Sequence, residues 1–471
     1  MDKAKLYREI PKVDQILFDK KIIDHLKNIP LNILKFSIDK ILNNIRNEIK
    51  NLNDNEVINY KLKFDTIIDK IISDSTNFYS MNLKKVINGT GIVIHTNLGR
   101  SCINEEIAKE IYKIASNYSN LEFDLETGKR GHRYTHVEDI ICLLTGAESA
   151  LVVNNNAAAV MLVLDTLAKG KEAIVSRGEL VEIGGSFRIP DVMERSGTIL
   201  KEVGTTNKTH LRDYEHAISS ETGMLLKVHT SNYRILGFTE SVNREDLVTL
   251  GKDNNIPVYE DLGSGLLFDF SNYFSMTEPT IKDVVSSGVD IVSFSGDKML
   301  GGPQTGIIIG KKEYIEKMKY NQLTRALRVD KMTLAALEIT LRQYFDKNFT
   351  IENIPTIKNI IIDSNQIKKK ADILFSLLAE IDKLNLEIIK DTSQVGGGSM
   401  PLTEFETYAL SISIDKISPN NLAKSLRICN FPIVGRIKNE SFLLDLRTID
   451  ELDFNSIKSA FLEILSGGEN V

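Results

Sequence analysis

The chain has 471 residues, of which 42% are hydrophobic and 26% are charged, and its formal net charge is −6 at pH 7. This length accommodates two or three domains with a large core, and the composition is ordinary for a soluble globular protein. A membrane-spanning protein is excluded because no apolar run reaches about 18 residues, and the net charge gives no sign of a general nucleic-acid binder.

The N-terminal 80 residues are predicted to form a helical module. Apolar residues between positions 10 and 75 recur at spacings of three and four, and the asparagine-rich cluster at 51–55 indicates a turn. The segment carries 14 basic and 12 acidic residues, which fits either a solvated helical surface or a weak preference for a polyanionic partner. It has no apolar signal core, so we expect a cytoplasmic protein.

From about residue 145 to 310, short apolar strands alternate with helical stretches. This alternation predicts an α/β fold with a mostly parallel sheet covered on both faces, in which ligands bind beyond the carboxyl ends of the strands. The predicted strands lie at 150–153, 173–175, 225–229, 258–261, 291–294 and 306–309.

The pattern changes after Tyr344. A linking helix is predicted around 361–381, followed by short strands near 410–414 and 443–446, which together indicate a smaller α+β domain. We therefore expect three parts, at 1–80, 81–345 and 346–471. Three cysteines stand far apart without metal-ligand spacing, so we expect no metal site and no catalytic thiol; they are Cys102, Cys142 and Cys429.

The segment SFSGDKMLGGPQ at 293–304 places Lys298 on a glycine-flanked turn directly after a predicted strand. A second strand, earlier in the chain, ends at Asp261. A lysine held at one strand end and a carboxylate at another suit pyridoxal phosphate, because the lysine forms the aldimine and the carboxylate keeps the pyridine nitrogen protonated. A solvated surface lysine is the simpler alternative, but the surrounding glycines and Asp261 favour the cofactor.

An anion cradle is predicted where the strand ending at Val153 is followed by three asparagines and three alanines. Small residues at a helix N-terminus let a phosphate approach the free amides and the positive end of the helix dipole. Asn155 and Asn156 are the candidate phosphate ligands. An ordinary asparagine cap on a core helix is the alternative.

Three further stretches, at 88–100, 128–136 and 325–331, carry arginines, the first two among glycines and histidines. Arginine binds oxyanions through two parallel hydrogen bonds, and Arg325 and Arg328 share one face if their segment is helical. Surface ion pairing is the alternative for each arginine.

These motifs closely resemble those of the bacterial L-seryl-tRNA(Sec) selenium transferases (selenocysteine synthases). The resemblance covers roughly residues 80–450, whereas the N-terminal module agrees in size and helical character alone. The matching strings are HTNLGR at 95–100, GKRGHRYTH at 128–136, LVVNNNAAA at 151–159, SRGELVEIGGSFRIP at 176–190, VGTTN at 203–207, KVHTSNY at 227–233, DK at 297–298, RALRVDK at 325–331, QVGGGS at 394–399, PIVGRI at 432–437 and LLDLRT at 443–448.

The resemblance implies a fold-type-I pyridoxal phosphate enzyme. Lys298 would carry the aldimine and Asp261 would pair with the ring nitrogen. His229 would lie near the ring, with a purely structural histidine as the alternative. Asn155 and Asn156 would hold the cofactor phosphate. Asp297 would orient the lysine or assist proton transfer, with a turn-stabilising role as the alternative. The selenophosphate pocket would be lined by Arg100, Arg325 and Arg328.

The resemblance also implies the reaction and the partners. L-seryl-tRNA(Sec) would lose its β-hydroxyl to give a cofactor-bound aminoacrylyl intermediate, to which selenium from selenophosphate adds, giving L-selenocysteinyl-tRNA(Sec). The module at 1–80 would recognise the tRNA through its backbone and shape. A homo-oligomer, a pentamer of dimers, with active sites at subunit interfaces is expected. Candidate phosphate contacts are Lys20, Lys21, Lys27, Lys61, Lys63 and Lys70.

Two other functions fit parts of the pattern. A pyridoxal phosphate lyase acting on a free amino acid or amino-sugar acid would share the lysine turn, but it would need neither the N-terminal module nor the three matched arginines. A non-catalytic tRNA-binding protein would have lost the cofactor residues, yet Lys298, Asp261 and the asparagines are all present.

Overall fold

The computed structural model describes residues 3–183, 187–230, 233, 235–274, 278–396 and 398–467. Parts of three sequence motifs, at 184–186, 231–232 and 397, therefore lie outside the described residues. The chain forms two compact units, Met1–Lys85 and Val86–Val471. No helix in the described ranges combines the length and the apolar character that crossing a membrane requires.

The Met1–Lys85 unit is helical and has its own apolar core. Helix α4 buries one stripe of leucines and isoleucines against the isoleucines of α6, as the spacing of apolar residues predicts. The predicted turn lies before α5, where the side chain of Asn53 accepts hydrogen bonds from the amides of Asn55 and Glu56. The helices are α1 (Lys3–Glu9), α2 (Val13–Leu17), α3 (Lys20–His25), α4 (Leu31–Asn51), α5 (Asp54–Asn59) and α6 (Phe64–Tyr79).

The Val86–Val471 unit contains the strands. They are β1 (Ile87–Gly89), β2 (Ser149–Val153), β3 (Glu172–Ser176), β4 (Glu182–Ile183), β5 (Phe187–Arg188), β6 (Ile199–Val203), β7 (Thr222–Val228), β8 (Val258–Gly263), β9 (Ile291–Ser295), β10 (Gly306–Gly310), β11 (Leu384–Gly396), β12 (Ser399–Ile414), β13 (Ile433–Lys438) and β14 (Ser441–Asp445).

Within the described residues, a seven-stranded sheet has the order β2-β10-β9-β8-β7-β3-β6. Five strands pair in parallel, and β10 alone runs antiparallel to its neighbours β9 and β2. All six strands predicted in this region belong to the sheet, so the predicted mostly parallel α/β architecture is confirmed. Strand β6 was not predicted, because it lies at the edge of the sheet and carries Lys201 and Glu202 instead of an apolar run.

Helices cover both faces of this sheet. Successive residues of β2 point to opposite sides, so that Val152 joins one apolar core and Val153 joins another. The helices of the unit are α7 (Glu105–Ala115), α8 (Thr135–Thr145), α9 (Asn156–Leu167), α10 (Ile189–Arg195), α11 (Leu211–Ala217), α12 (Arg244–Asn254), α13 (Ile281–Ser286), α14 (Lys312–Tyr320), α15 (Gln322–Ala326), α16 (Lys331–Gln343), α17 (Lys347–Asn353), α18 (Pro355–Ile361), α19 (Ser364–Leu378), α20 (Pro419–Ile428) and α21 (Phe454–Gly467).

A second, five-stranded sheet has the order β1-β13-β14-β12-β11. Strand β1 pairs in parallel with β13, so residues 87–89 belong to the sheet of the C-terminal region. In the predicted division of the chain, these residues fall in the part at 81–345. The linking helix predicted around 361–381 is confirmed as α19, which runs from Ser364 to Leu378, and the shorter helix α18 precedes it. Ile362 is extended between them, and Asp363 caps α19 by accepting a hydrogen bond from the amide of Asn365.

Candidate active site

Lys298 lies on a turn just beyond β9 and is 4% exposed. Hydrogen bonds between backbone groups hold the turn: the amide of Gly301 donates to the carbonyl of Lys298 at 2.9 Å, and the amide of Met299 donates to the carbonyl of Ser264 at 3.0 Å. The amine therefore sits on a fixed backbone inside the protein, as the glycine-flanked segment predicts.

Two glycines make this turn possible. A Cβ on Gly296 would lie 2.1 Å from the Oγ1 atom of Thr305, so any side chain there would displace the segment that leads into β10. Gly301 has a φ of +71°, in the left-handed region, and a Cβ there would lie 2.3 Å from Ile354. Substitution of either glycine would move the lysine.

Asp261 lies at the carboxyl end of β8, the neighbour of β9, and is 3% exposed. Its Oδ1 atom accepts hydrogen bonds from the side-chain amide of Asn156 at 2.8 Å, the amide of Gly263 at 3.1 Å and the hydroxyl of Ser293 at 3.4 Å. All these bonds, within the described part of the chain, reach Oδ1, which leaves the Oδ2 atom for a ligand. Burial raises the pKa of Asp261, while Asn156 and Lys298 act in the opposite direction.

The pKa of Lys298 is lowered, chiefly by burial and further by the positive charge of Arg100. The charges of Asp261 and Asp297 oppose this shift without cancelling it. A lowered pKa increases the fraction of neutral amine near neutral pH, and the neutral amine is the form that attacks a carbonyl group. The environment therefore prepares Lys298 for nucleophilic chemistry.

Arg100 and Asp297 form an ion pair beside the lysine, with 2.6 Å between the Nη1 and Oδ2 atoms. Arg100 has a φ of +61°, an unusual conformation for a residue with a side chain. The next residue, Ser101, donates its hydroxyl to the carbonyl of Asp297 at 2.9 Å and to that of Lys298 at 2.7 Å. Ser101 thus fixes the lysine turn, a role that no sequence pattern indicated.

The two candidate phosphate ligands begin α9. Asn155 caps this helix, with its Oδ1 atom accepting a hydrogen bond from the amide of Ala158 at 2.8 Å, while the side-chain amide of Asn156 is directed to Asp261. A Cβ on Gly306 would lie 2.1 Å from the carbonyl oxygen of Asn155, so β10 packs directly against this peptide. The helix N-terminus is present as predicted, and Asn156 also positions the carboxylate.

His229 directly follows β7, and its backbone amide donates to the carbonyl of Asp261 at 2.9 Å. Its Nε2 atom is buried, has no hydrogen-bond partner among the described residues and lies 3.8 Å from the Oε1 atom of Glu278. Glu278 is itself buried and accepts hydrogen bonds from the hydroxyl of Ser264 at 2.6 Å and the amide of Met400 at 2.7 Å. Burial opposes ionisation of Glu278, but these contacts and His229 keep its pKa below the ordinary value. No sequence motif indicated Glu278.

Arg325 and Arg328 line a different cavity, of about 360 Å³, whose other walls include Arg130, Arg133 and Glu122. The expectation that one pocket holds Arg100 together with these two arginines is therefore not met within a single chain. The two regions are linked through the backbone, since the amide of Asn154 donates to the carbonyl of Leu327 at 3.0 Å.

The remaining predicted residues converge on one cavity of about 230 Å³. His229 stands outside its lining and borders a neighbouring cavity of about 380 Å³. The Lys298 cavity offers an amine, a buried carboxylate and the N-terminus of α9, a set of groups that fits pyridoxal phosphate. The Oδ1 atom of Asn156, a hydrogen-bond acceptor, is buried and has no partner among the described residues. Its lining includes Arg100, Asn155, Asn156, Asp261, Asp297 and Lys298.

The profile of the L-seryl-tRNA selenium transferase family matches residues 86–450. The chain belongs to this family. Its relatives include the L-seryl-tRNA(Sec) selenium transferases of Alkaliphilus oremlandii, 51% identical over 99% of this chain and 100% of the relative, and of Clostridium botulinum strain Okra, 52% identical over the same shares. The resemblance read from the motifs is thereby confirmed, and with it the transferase class.

Among solved structures, the chain is similar to D-glucosaminate-6-phosphate ammonia-lyase, with a TM-score of 0.56 and 20% identity over 82% of this chain and 97% of that one. At this identity the likeness shows a common fold. The predicted fold-type-I architecture of this chain is therefore confirmed.

Proposed function

We propose that this chain converts L-seryl-tRNA(Sec) to L-selenocysteinyl-tRNA(Sec), with selenophosphate as the selenium donor and pyridoxal phosphate as the cofactor. The proposal is supported by full-length similarity to enzymes of that name and by one observation above all: the buried amine of Lys298, with its lowered pKa, shares a cavity with the buried carboxylate of Asp261. The bound cofactor supplies an electron sink for the substrate α-carbon.

The chain's own groups have separate tasks. Lys298 binds the cofactor and afterwards, as a free neutral amine, takes the proton from the α-carbon of the seryl group. Asp261 keeps a proton on the ring nitrogen through its Oδ2 atom. The ion pair between Arg100 and Asp297, at 2.6 Å, holds a positive charge beside the amine. The amides that begin α9 bind the cofactor phosphate.

The second arginine cavity binds the phosphate group of the donor. Among the described residues, Arg325 and Arg328 line a different cavity from that of Lys298, and we propose that the cluster completes the Lys298 cavity of another copy in a homo-oligomer. This arrangement reconciles an anion site at the arginines with chemistry at the lysine, and a pentamer of dimers is the assembly that the family resemblance implies.

The helical unit Met1–Lys85 binds the tRNA body. The family profile begins at residue 86, where the second compact unit begins, so the catalytic part and the helical unit are separate pieces of the chain. A lyase acting on a free amino acid or amino-sugar acid would have no use for such a unit. An aminoacyl-tRNA substrate places the reaction in the cytoplasm.

Lys298→Ala tests the proposal directly. The wild-type protein should show the visible absorbance of the lysine-bound cofactor and should convert seryl-tRNA(Sec) to selenocysteinyl-tRNA(Sec) when selenophosphate is added, with the product identified by mass. The variant should lose both. Lys311→Ala, which removes a half-buried lysine paired with Asp290 at 2.6 Å, is the matched control. A borohydride-reducible cofactor bond in Lys298→Ala would refute the assignment.

A further inference from the structure

Three arginines converge on the carboxylate of Glu122. The Nε atom of Arg133 lies 2.7 Å and the Nη1 atom of Arg328 lies 2.9 Å from the Oε1 atom, while the Nη2 atom of Arg130 lies 2.9 Å from the Oε2 atom. Both oxygens are thus engaged by guanidinium groups, an arrangement that resembles the binding of a small oxyanion by arginines.

Glu122 is the single acidic residue lining this cavity in the ranges that the structure describes. The cavity walls also carry Arg325, so four arginines and one carboxylate share this cavity. The side chain of Glu122 is about one-quarter exposed and that of Arg328 about one-third, which leaves the cluster accessible from solvent. An anion that enters the cavity therefore encounters arginines that are already paired with the carboxylate of Glu122.

The backbone around Glu122 is fixed independently of its side chain. The amide of Gly131 donates to the carbonyl of Glu122 at 3.0 Å, and Phe123 and Arg130 face each other in an antiparallel bridge. Arg133 also donates to the carbonyl of Val329 at 2.7 Å. Rotation of the Glu122 side chain away from the arginines would therefore leave the turn and Arg133 in place.

Protonation does not remove this negative charge. The hydrogen bond from Arg133, followed by the one from Arg130 and by the charges of Arg133 and Arg328, lowers the pKa of Glu122 despite partial burial. The carboxylate is ionised throughout the neutral range, so a ligand must compete with it by charge and geometry.

We propose that Glu122 is an internal counter-anion that occupies the arginine cluster until the anionic donor binds, and that it sets the affinity and charge selectivity of the cluster. This inference rests on the proposed function, in which the cluster binds the donor phosphate. A ligand with two or more negative charges gains enough from the guanidinium groups to displace the carboxylate, whereas a monoanion does not. Glu122 thereby keeps the site closed to abundant monoanions.

The test is calorimetric titration of the full-length holoenzyme with inorganic phosphate and, separately, with chloride. Glu122→Gln should bind phosphate about 10-fold tighter or more than the wild type, since neutralising the competitor frees the arginines, and should gain measurable chloride binding. Glu202→Gln, which neutralises a carboxylate paired with Arg177 at 3.1 Å outside the cavity, should leave both unchanged. Glu122→Ala provides a second variant, and retained cofactor absorbance verifies its fold.

Two outcomes would overturn the inference, and they distinguish failure of the Glu122 role from failure of the proposed anion site. Equal or weaker phosphate binding in both Glu122 variants, combined with loss of phosphate binding in Arg325→Ala/Arg328→Ala, would show that Glu122 merely positions an anion site that exists as proposed. Phosphate binding that is unaffected in Arg325→Ala/Arg328→Ala would reject the anion site itself and the role of Glu122 with it.

Discussion

Asn156 donates its side-chain amide to the Oδ1 atom of Asp261 across 2.8 Å, joining the first turn of α9 to the end of β8. This hydrogen bond lowers the pKa of Asp261 against the effect of burial, so Asn156→Ala should weaken the ionised carboxylate that holds the cofactor ring. A hydrogen bond to a charged group contributes about 1.5–3 kcal/mol, and we expect the cofactor Kd, measured by visible absorbance, to rise roughly 10-fold or more.

The adjacent asparagine is the matched control. Asn155 caps α9, so Asn155→Ala should lower the free energy of unfolding by about 1 kcal/mol and reduce the melting temperature of the apoenzyme more than Asn156→Ala does. A cofactor Kd that stays unchanged in Asn156→Ala would contradict the role of Asn156 in holding the carboxylate of Asp261.

Arg100→Ala should shift cofactor attachment to higher pH. The positive charge of Arg100 lowers the pKa of Lys298, whereas the charge of Asp297 raises it. Removing Arg100 deletes the first effect and leaves Asp297 without its partner, so both changes raise the pKa of Lys298. Less neutral amine is then present near pH 7, and attachment of pyridoxal phosphate to the apoenzyme should slow there and recover at alkaline pH.

The measurement is the rate of appearance of the lysine-bound cofactor absorbance as a function of pH. Arg342→Ala, which removes an arginine paired with Glu338 on α16 at 2.7 Å, should leave the profile where it is. An unshifted or acid-shifted profile in Arg100→Ala would contradict the electrostatic role of Arg100.

The position of the lysine and its carboxylate could be predicted because both depend on local sequence. An apolar strand followed by a glycine-rich turn identifies Lys298, and a strand ending in an acidic residue identifies Asp261. The parallel order of β8 and β9 then brings the two strand ends to one edge of the sheet. The fold class follows from the same alternation of strands and helices.

Contacts between distant segments could not be predicted. Ser101 acts through the carbonyls of the lysine turn, and Glu278 accepts a hydrogen bond from Met400 of β12; neither contact leaves a periodic pattern. Arg328 was expected at the lysine, yet its cavity is formed with residues 122–134. The positions of these side chains depend on tertiary packing, which the spacing of residues along a single segment does not predict.

Mixed oligomers should recover activity if the arginines act on the lysine of another copy. Lys298→Ala and Arg328→Ala are each expected to be inactive in selenium transfer. When the two variants are co-expressed and assemble at random, about half of the subunit pairs contain one copy of each variant. One of the two sites in such a mixed pair combines an intact lysine with an intact arginine, so about a quarter of all sites should be active. Activity is measured on the co-purified oligomer carrying two different affinity tags.

Lys298→Ala co-expressed with Arg100→Ala is the control for this experiment. Arg100 lines the cavity of Lys298 in the same chain, so every site in a mixed pair lacks one of the two groups, and no activity beyond that of the Arg100→Ala subunits should appear. Absence of recovery with Arg328→Ala as well would place Arg328 and Lys298 of one chain in one site, against the proposed arrangement.

Two pairs of lysines in the helical unit should differ in their contribution to tRNA binding. Lys21 pairs with Asp69 at 2.9 Å and Lys27 with Asp24 at 2.8 Å, whereas Lys61 and Lys63 are exposed and make no ion pair with any residue in the described ranges. Ammonium groups without a carboxylate partner are free to bind phosphates, and each such contact releases counterions from the RNA.

Lys61→Ala/Lys63→Ala should therefore weaken binding of seryl-tRNA(Sec) and reduce the slope of log Kd against log salt by about two. Lys21→Ala/Lys27→Ala removes the same net charge, so a difference between the two double variants reports direct phosphate contact instead of the overall electrostatic potential. Filter binding at several salt concentrations provides both slopes. Equal slopes for the two variants would show that Lys61 and Lys63 do not contact the tRNA.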